Sequence, residues 1–107
     1  MLFPQFRMRR YRHKANLRSL IRETNLGVND FVYPLFITAK QQENTPIPSM
    51  PGQYQITLQN LPTEIKTLQQ LGVKAVLLFG IPNKKDLTGS DAYNVAGIIQ
   101  TAIKIIK

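Results

Sequence analysis

The sequence predicts an α/β fold: a basic N-terminal arm followed by two strand–helix units whose strands run parallel. Three observations predict it. Two apolar runs of strand length, FVYPLFIT at residues 31–38 and VKAVLLFGI at residues 73–81, are each followed by a polar stretch and then by apolar residues at helical spacing. A strand, a crossover helix and a second strand in one sheet form a right-handed parallel unit. The formal charge of +8 is also unevenly placed. Residues 1–22 carry Arg7, Arg9, Arg10, Arg12, Lys14, Arg18 and Arg22 with no acid, whereas residues 23–107 carry seven lysines against six acids.

Composition narrows the function classes. Hydrophobic residues make up 43% of the 107, a share that suits a packed protein and not a disordered tail. The longest apolar run, residues 75–79, is far short of the roughly 20 residues that a bilayer crossing needs. Cysteine is absent, which excludes a disulfide framework, a thiolate nucleophile and a cysteine zinc site within these residues. With no secretory signal pattern, the expected compartment is cytoplasmic.

The arm, residues 1–28, mixes Phe3, Phe6, Met8 and Tyr11 with arginines and shows no sustained helical period before Lys14. Leu17, Leu20 and Ile21 then sit at i, i+3, i+4, predicting a short amphipathic helix over residues 16–23 that stops near Asn25 or Gly27. Residues 31–38 are read as strand one, buried on both faces. Pro34 counts against a regular strand, because proline removes a ladder donor. Residues 39–56 contain Pro46, Pro48, Pro51 and Gly52, which predicts a rigid, non-helical excursion. It is long for a strand-to-helix connection, so it is either a binding or lid segment or a structural plug.

Leu58, Leu61, Ile65, Leu68 and Leu71 recur at helical spacing, predicting a helix over residues 60–71 with Asn60 as N-cap, Pro62 in the first turn and Gly72 as the left-handed stop. Thr57 is placed to cap a looser preceding turn. Strand two follows at residues 74–80 and is also read as buried. The polar loop NKKDLTGSD, residues 83–91, leads to a helix over residues 94–106 with Ser90, Asp91 or Asn94 as available caps and an apolar face of Ile98, Ile99, Ala102, Ile103 and Ile106. Two parallel strands with two open edges, and helices on one face only, need further strands. The expectation is therefore that the chain is a piece of a larger fold.

Five collinear blocks carry a resemblance: RMRRYRHKANLRSLIRET, NDFVYPLFIT, PIPSMPGQYQ, LGVKAVLLFGIPNKKDLTGSDAYN and GIIQTAIKIIK. In that order and spacing they resemble the N-terminal third of the porphobilinogen synthase family, also called delta-aminolevulinic acid dehydratase. The resemblance implies a (β/α)8 TIM barrel, of which residues 29–107 supply the first two βα units, behind an arm that wraps a neighbouring subunit, commonly in a homo-octamer. It implies a lyase that condenses two 5-aminolevulinate molecules into porphobilinogen, with loss of water, in haem and tetrapyrrole biosynthesis. Two Schiff-base lysines do this chemistry, and zinc or magnesium serves many members.

Those lysines and the metal-binding cysteines belong to later strands and loops of the family, so no catalytic, cofactor or metal residue is carried over. The chain is expected to be truncated before its chemistry and inactive alone; the alternative is a non-catalytic assembly module docking on barrel subunits through its arm.

Several residues have competing readings. Phe6, Arg9, Arg10, Tyr11 and Arg12 are assigned to a subunit interface, since arginine and aromatics concentrate at interface cores and the family's arm serves that purpose. Nucleic-acid binding is the generic reading of the same cluster, but no groove-reading helix or RNA motif accompanies it. A transit peptide and a solvated tail also fit the composition. His13, the sole histidine, has no acidic or serine partner nearby in sequence and is read as an arm residue. Asp86, Asp91 and Ser90 suit turn-forming and capping. Lys84 and Lys85 are read as a solvated pair, with attraction of a carboxylate substrate as the functional alternative. Ser49 and Met50 are expected to pack.

Overall fold

The structure is a computed structural model, which describes residue 5, residues 9–40 and residues 42–107. The β-branched and aromatic run after Phe31 forms strand β1, Val32–Thr38, and a two-residue strand β2, Thr45–Pro46, follows. Strand β3 is Tyr54–Thr57 and strand β4 is Ala75–Ile81. Three helices accompany them: α1 at Ala15–Leu20, α2 at Leu61–Gln70 and α3 at Ile98–Ile106. The sheet order is β2-β3-β1-β4. Strand β1 pairs in parallel with β4 along its whole length, from Val32↔Ala75 to Thr38↔Ile81, and in parallel with β3 over Phe36–Thr38.

Pro34 lies inside this sheet without breaking it. Beyond the end of β1 the Ala39 N–H donates to Ile81 O at 3.1 Å. Successive N–H groups of a strand point to opposite edges, so the odd-numbered residues address β4 and Pro34 addresses the β3 edge. Pairing there begins only at Phe36. The missing donor therefore falls where no ladder bond is made.

The proline-rich segment, expected to be an excursion without regular structure, instead contains a hairpin. Its prolines set the turns: Met50 N–H donates to Ile47 O, and Gln53 N–H donates to Met50 O, each at 3.0 Å. In the second turn Pro51 occupies the position whose φ it fixes, and Gly52 takes the positive φ of 83° that a type II turn demands. Ile47 N–H then donates to Gln53 O, and β2 pairs antiparallel with β3. As a result β1 has no open second edge where β3 covers it, contrary to the expectation of two bare edges.

One apolar cluster holds the sheet to its helices: Leu35 and Ile37 from β1, Ile56 from β3, Leu61 and Leu68 from α2, and Ala102 from α3. Along β1 and β4 the residues of opposite phase point the other way. There Val32 is 59% exposed, Leu77 52% and Phe79 45%. The first strand is expected to be buried on both faces and the second to be buried; the structure corrects this, because α2 and α3 cover one face and nothing among the described residues covers the other. Phe36 and Phe79, opposite each other in register, stack on that open face with centroids 5.3 Å apart.

Helix α2 ends as its sequence predicts. Gly72 N–H donates to Gln69 O and Val73 N–H to Leu68 O, both at 3.0 Å, the paired bonds of a Schellman stop. Leu71, counted in the apolar stripe, is exposed because it sits at the C-cap, past the face that meets the sheet. Helix α1 is shorter than expected. It stops at Leu20, and every described residue from 9 to 32 is exposed, so no packing extends it. A helix there needs a covering surface. Helix α3 begins at Ile98 and not at 94, with buried Gly97 as N-cap and a separate 3-10 turn at Ser90–Tyr93. None of Ser90, Asp91 or Asn94 caps it with a side chain. Asn94 instead accepts Gly97 N–H through its backbone oxygen and Ala96 N–H through Oδ1.

Gly72 has φ 82°, and a Cβ there would lie 3.2 Å from Val28 Cγ1. Gly72→Ala should therefore lower stability by about 1–2 kcal/mol, read as a shift of the urea midpoint in circular dichroism.

Candidate functional site

Because β1, β3 and β4 are parallel, their carboxyl ends lie on one side of the sheet. Thr38, Thr57 and Pro82, at or just past those ends, line a cleft of about 1220 Å³ together with the loop after β4 and the first turns of α3. The strand ends are held by their own side chains. Thr38 and Thr57 are buried and paired in register, and their hydroxyl oxygens accept backbone N–H groups of Lys40 at 3.3 Å and Asn60 at 3.4 Å. Thr57 thus caps the turn before α2, while Asn60 stands at the N-cap position without a side-chain capping bond to the helix.

Asn44, in the segment after β1, ties down the end of β3 and the start of α2. Its Oδ1 accepts Thr57 N–H at 3.2 Å and the Asn60 side-chain amide at 3.0 Å. Nothing local in the sequence marks this residue, since its partners lie 13 and 16 positions away.

The loop after β4 is organised by Asp86. Its Oδ1 accepts Ser90 N–H at 2.9 Å and its Oδ2 accepts the Ser90 hydroxyl. These Ser90 bonds, the side-chain one first, hold the Asp86 carboxyl below the usual aspartate range, with smaller help from Gly89 and Thr88 against slight desolvation. A carboxylate spent on its own loop is a structural device, as turn chemistry predicted. The Gln100 side chain adds a tie, donating to Ala92 O at 2.7 Å.

Of the residues singled out from sequence, Lys84, Lys85, Asp86, Ser90 and Asp91 all line the cleft. Sequence reasoning passed over Lys40, Asn44, Tyr93 and Thr101, the first and last two of which also line it; a lysine just beyond a buried strand is the available signal for Lys40. Ser49 lies in the β2–β3 connection, outside the cleft lining, and Met50 beside it is 40% exposed. His13 is exposed in the arm. Arg9, Arg10, Tyr11 and Arg12 form a 3-10 turn with no buried residue, and Phe6 lies outside the described residues. Among the described residues no set of three His, Cys, Asp or Glu side chains is placed to hold a metal ion. No described helix is long and apolar enough to cross a membrane.

The folded-state pKa of Asp86 is lowered, so its contribution to loop order is full above the ordinary aspartate value of 3.8 and is lost as pH falls through the lower folded value. Acid titration by NMR should place the midpoint of the Ser90 amide's movement below pH 3.8. Asp86→Ala should abolish that transition and raise Ser90 amide exchange.

The family model described as delta-aminolevulinic acid dehydratase matches residues 5–107. The delta-aminolevulinic acid dehydratase of Methanothermus sociabilis is 46% identical over 107 residues, all of this chain and 33% of that protein. That of Helicobacter pylori is 48% identical over 102 residues, 94% of this chain and 32% of that protein. The crystal structure of the Toxoplasma gondii enzyme, porphobilinogen synthase in complex with its reaction product porphobilinogen, superposes with a TM-score of 0.87 at 32% identity, over 100% of this chain and 31% of that one. The chain thus spans about a third of the length of the relatives it matches. With its family model matched over nearly every residue, the chain belongs to the delta-aminolevulinic acid dehydratase family.

Proposed function

We propose that this chain supplies the N-terminal arm and the first two βα units of a (β/α)8 barrel, an incomplete barrel by itself, whose whole-length form condenses two 5-aminolevulinate molecules into porphobilinogen with loss of water. The observation that carries the reading is the collinear match of residues 5–107 to about a third of the family's length. The geometry supports it. The cleft opens at the carboxyl ends of parallel strands, where barrel enzymes place their chemistry. The open face bearing Val32, Leu77 and Phe79 has the apolar character of a barrel interior.

Schiff-base catalysis needs a lysine whose amine is neutral near pH 7, which burial achieves by disfavouring the ammonium form. Every described lysine of this chain is exposed, and none stands on a buried stretch of strand. The reading therefore assigns the two catalytic lysines to the part of the relatives that this chain does not span. A family metal, zinc or magnesium, finds no fitting donor set here: cysteine is absent and no carboxylate or histidine cluster forms among the described residues. No step is derived through it.

For the arm we propose a subunit contact through Phe6, Arg9, Arg10, Tyr11 and Arg12, in a homo-oligomer that is octameric when complete. Its support is the exposed ridge of Leu17, Leu20 and Ile21 beside the arginines, an apolar stripe without a partner among the described residues. Cytoplasmic residence fits the same reading.

Purified chain given 5-aminolevulinate should form no porphobilinogen in a colorimetric assay, and turnover by these 107 residues alone defeats the proposal. In a version extended to the relatives' length, replacing Arg9, Arg10 and Arg12 with alanine should reduce assembly size in sedimentation; an unchanged octamer defeats the arm assignment.

A further inference from the structure

Strand β4 stands last in the sheet order, and no described strand pairs with its outer edge. Parity decides which of its backbone groups stand unpaired there. Ile81 O accepts Ala39 N–H, so Ile81, and with it Phe79, Leu77 and Ala75, addresses β1. The N–H and C=O groups of Val76, Leu78 and Gly80 therefore point outward. Side chains alternate as well: Val76 and Leu78 pack against the core, while Leu77 and Phe79 stand on the uncovered face. None of the seven residues is charged and none is proline, the two common protections of an exposed edge.

This edge is its own complement. About a two-fold axis through Leu78, a second β4 runs antiparallel to the first, so that Leu78 meets Leu78 of the copy and Val76 meets the copy's Gly80. All of these residues face outward, and each pair exchanges both backbone hydrogen bonds. Leu77 falls opposite the copy's Phe79 in the closer, non-hydrogen-bonded pairing, which joins the two uncovered apolar faces. Lys74, the charge just before the strand, falls opposite Pro82, so no like charges meet. The far edge of each sheet ends in Thr45–Pro46, too short to template a third chain. Assembly through β4 closes at two copies.

We propose that β4 is an interaction surface for a second copy of this chain, paired antiparallel through Val76, Leu78 and Gly80 into one continuous sheet. The pairing is independent of the enzyme reading, since it uses only the register and composition of the edge.

Sedimentation equilibrium of the 107-residue chain should give a dimer that dissociates on dilution. With rising concentration, amide exchange should slow at Val76, Leu78 and Gly80 and stay unchanged at Leu77 and Phe79, whose N–H groups already face β1. Leu77→Lys combined with Phe79→Lys sets lysines opposite each other across the axis and should weaken the dimer about tenfold. Leu77→Glu combined with Phe79→Lys removes the same apolar groups but sets unlike charges opposite, and should restore the dimer. Val32→Lys, on the uncovered face but away from the outer edge of β4, should leave it unaltered.

A monomer at every concentration, growth beyond two copies, or equal weakening by both charge pairs overturns the pairing. Loss of the dimer in Val32→Lys overturns it too, by placing the contact on the uncovered face in place of the edge. If the double-lysine chain loses its circular dichroism, the exchange pattern of the unaltered chain decides.

Discussion

The full-length parallel pairing of β1 with β4 is the constraint on which the rest of the structure depends. Seven residues of each strand stay in register, so Thr38 and Ile81 end level with one another. That levelness puts the loop holding Lys40 and the loop holding Lys84 to Asp91 at one end of the sheet, and the cleft follows from it. The pairing survives Pro34 only because of strand parity. One residue of slip would aim the proline nitrogen at β4 and cost a ladder bond, while turning Leu35 and Ile37 out of the core.

The same pairing gives the sheet two unequal faces. Leu35, Ile37 and Ile56 bury against Leu61, Leu68 and Ala102, whereas Val32, Leu77 and Phe79 stay open to solvent. Hydrophobic burial of a few square nanometres is what stabilises small domains, and a sheet covered on one side uses half of what it offers. The two edges differ as well. The β1 side is closed by β3 and then by the two-residue β2 with its proline, a blunt edge; β4 presents seven uncharged residues without proline. A sheet so finished on one side and unfinished on the other fits a chain that spans about a third of its relatives' length.

At the cleft several polar groups hold the walls. Thr38, Thr57 and Asn44 satisfy backbone donors at the strand ends, and Asp86 satisfies Ser90. Groups occupied in this way give the cleft its shape. The side chains of Lys40, Lys84 and Lys85 make no such bond among the described residues.

The sequence by itself determined the strands at β1 and β4, helix α2 with its Gly72 stop, the basic character of the arm and the family. Each depends on residues a few positions apart: an apolar run of strand length, a stripe at i, i+4, i+7, a glycine after the last turn, or ordered blocks of identity. Tertiary structure alone decided that residues 45–57 form a hairpin alongside β1, because YQIT is too short to announce a strand and acquires its partner only when Phe36–Thr38 lie beside it. It also decided the short α1, which buries no residue among the described ones, and the start of α3 at Ile98, set by the 3-10 turn before it. The placing of Lys40, Lys84 and Lys85 on one cleft, and the bond between Asn44 and Thr57, belong to that second class. They relate positions whose separation along the chain carries no periodic signal, and the parallel register brings them together.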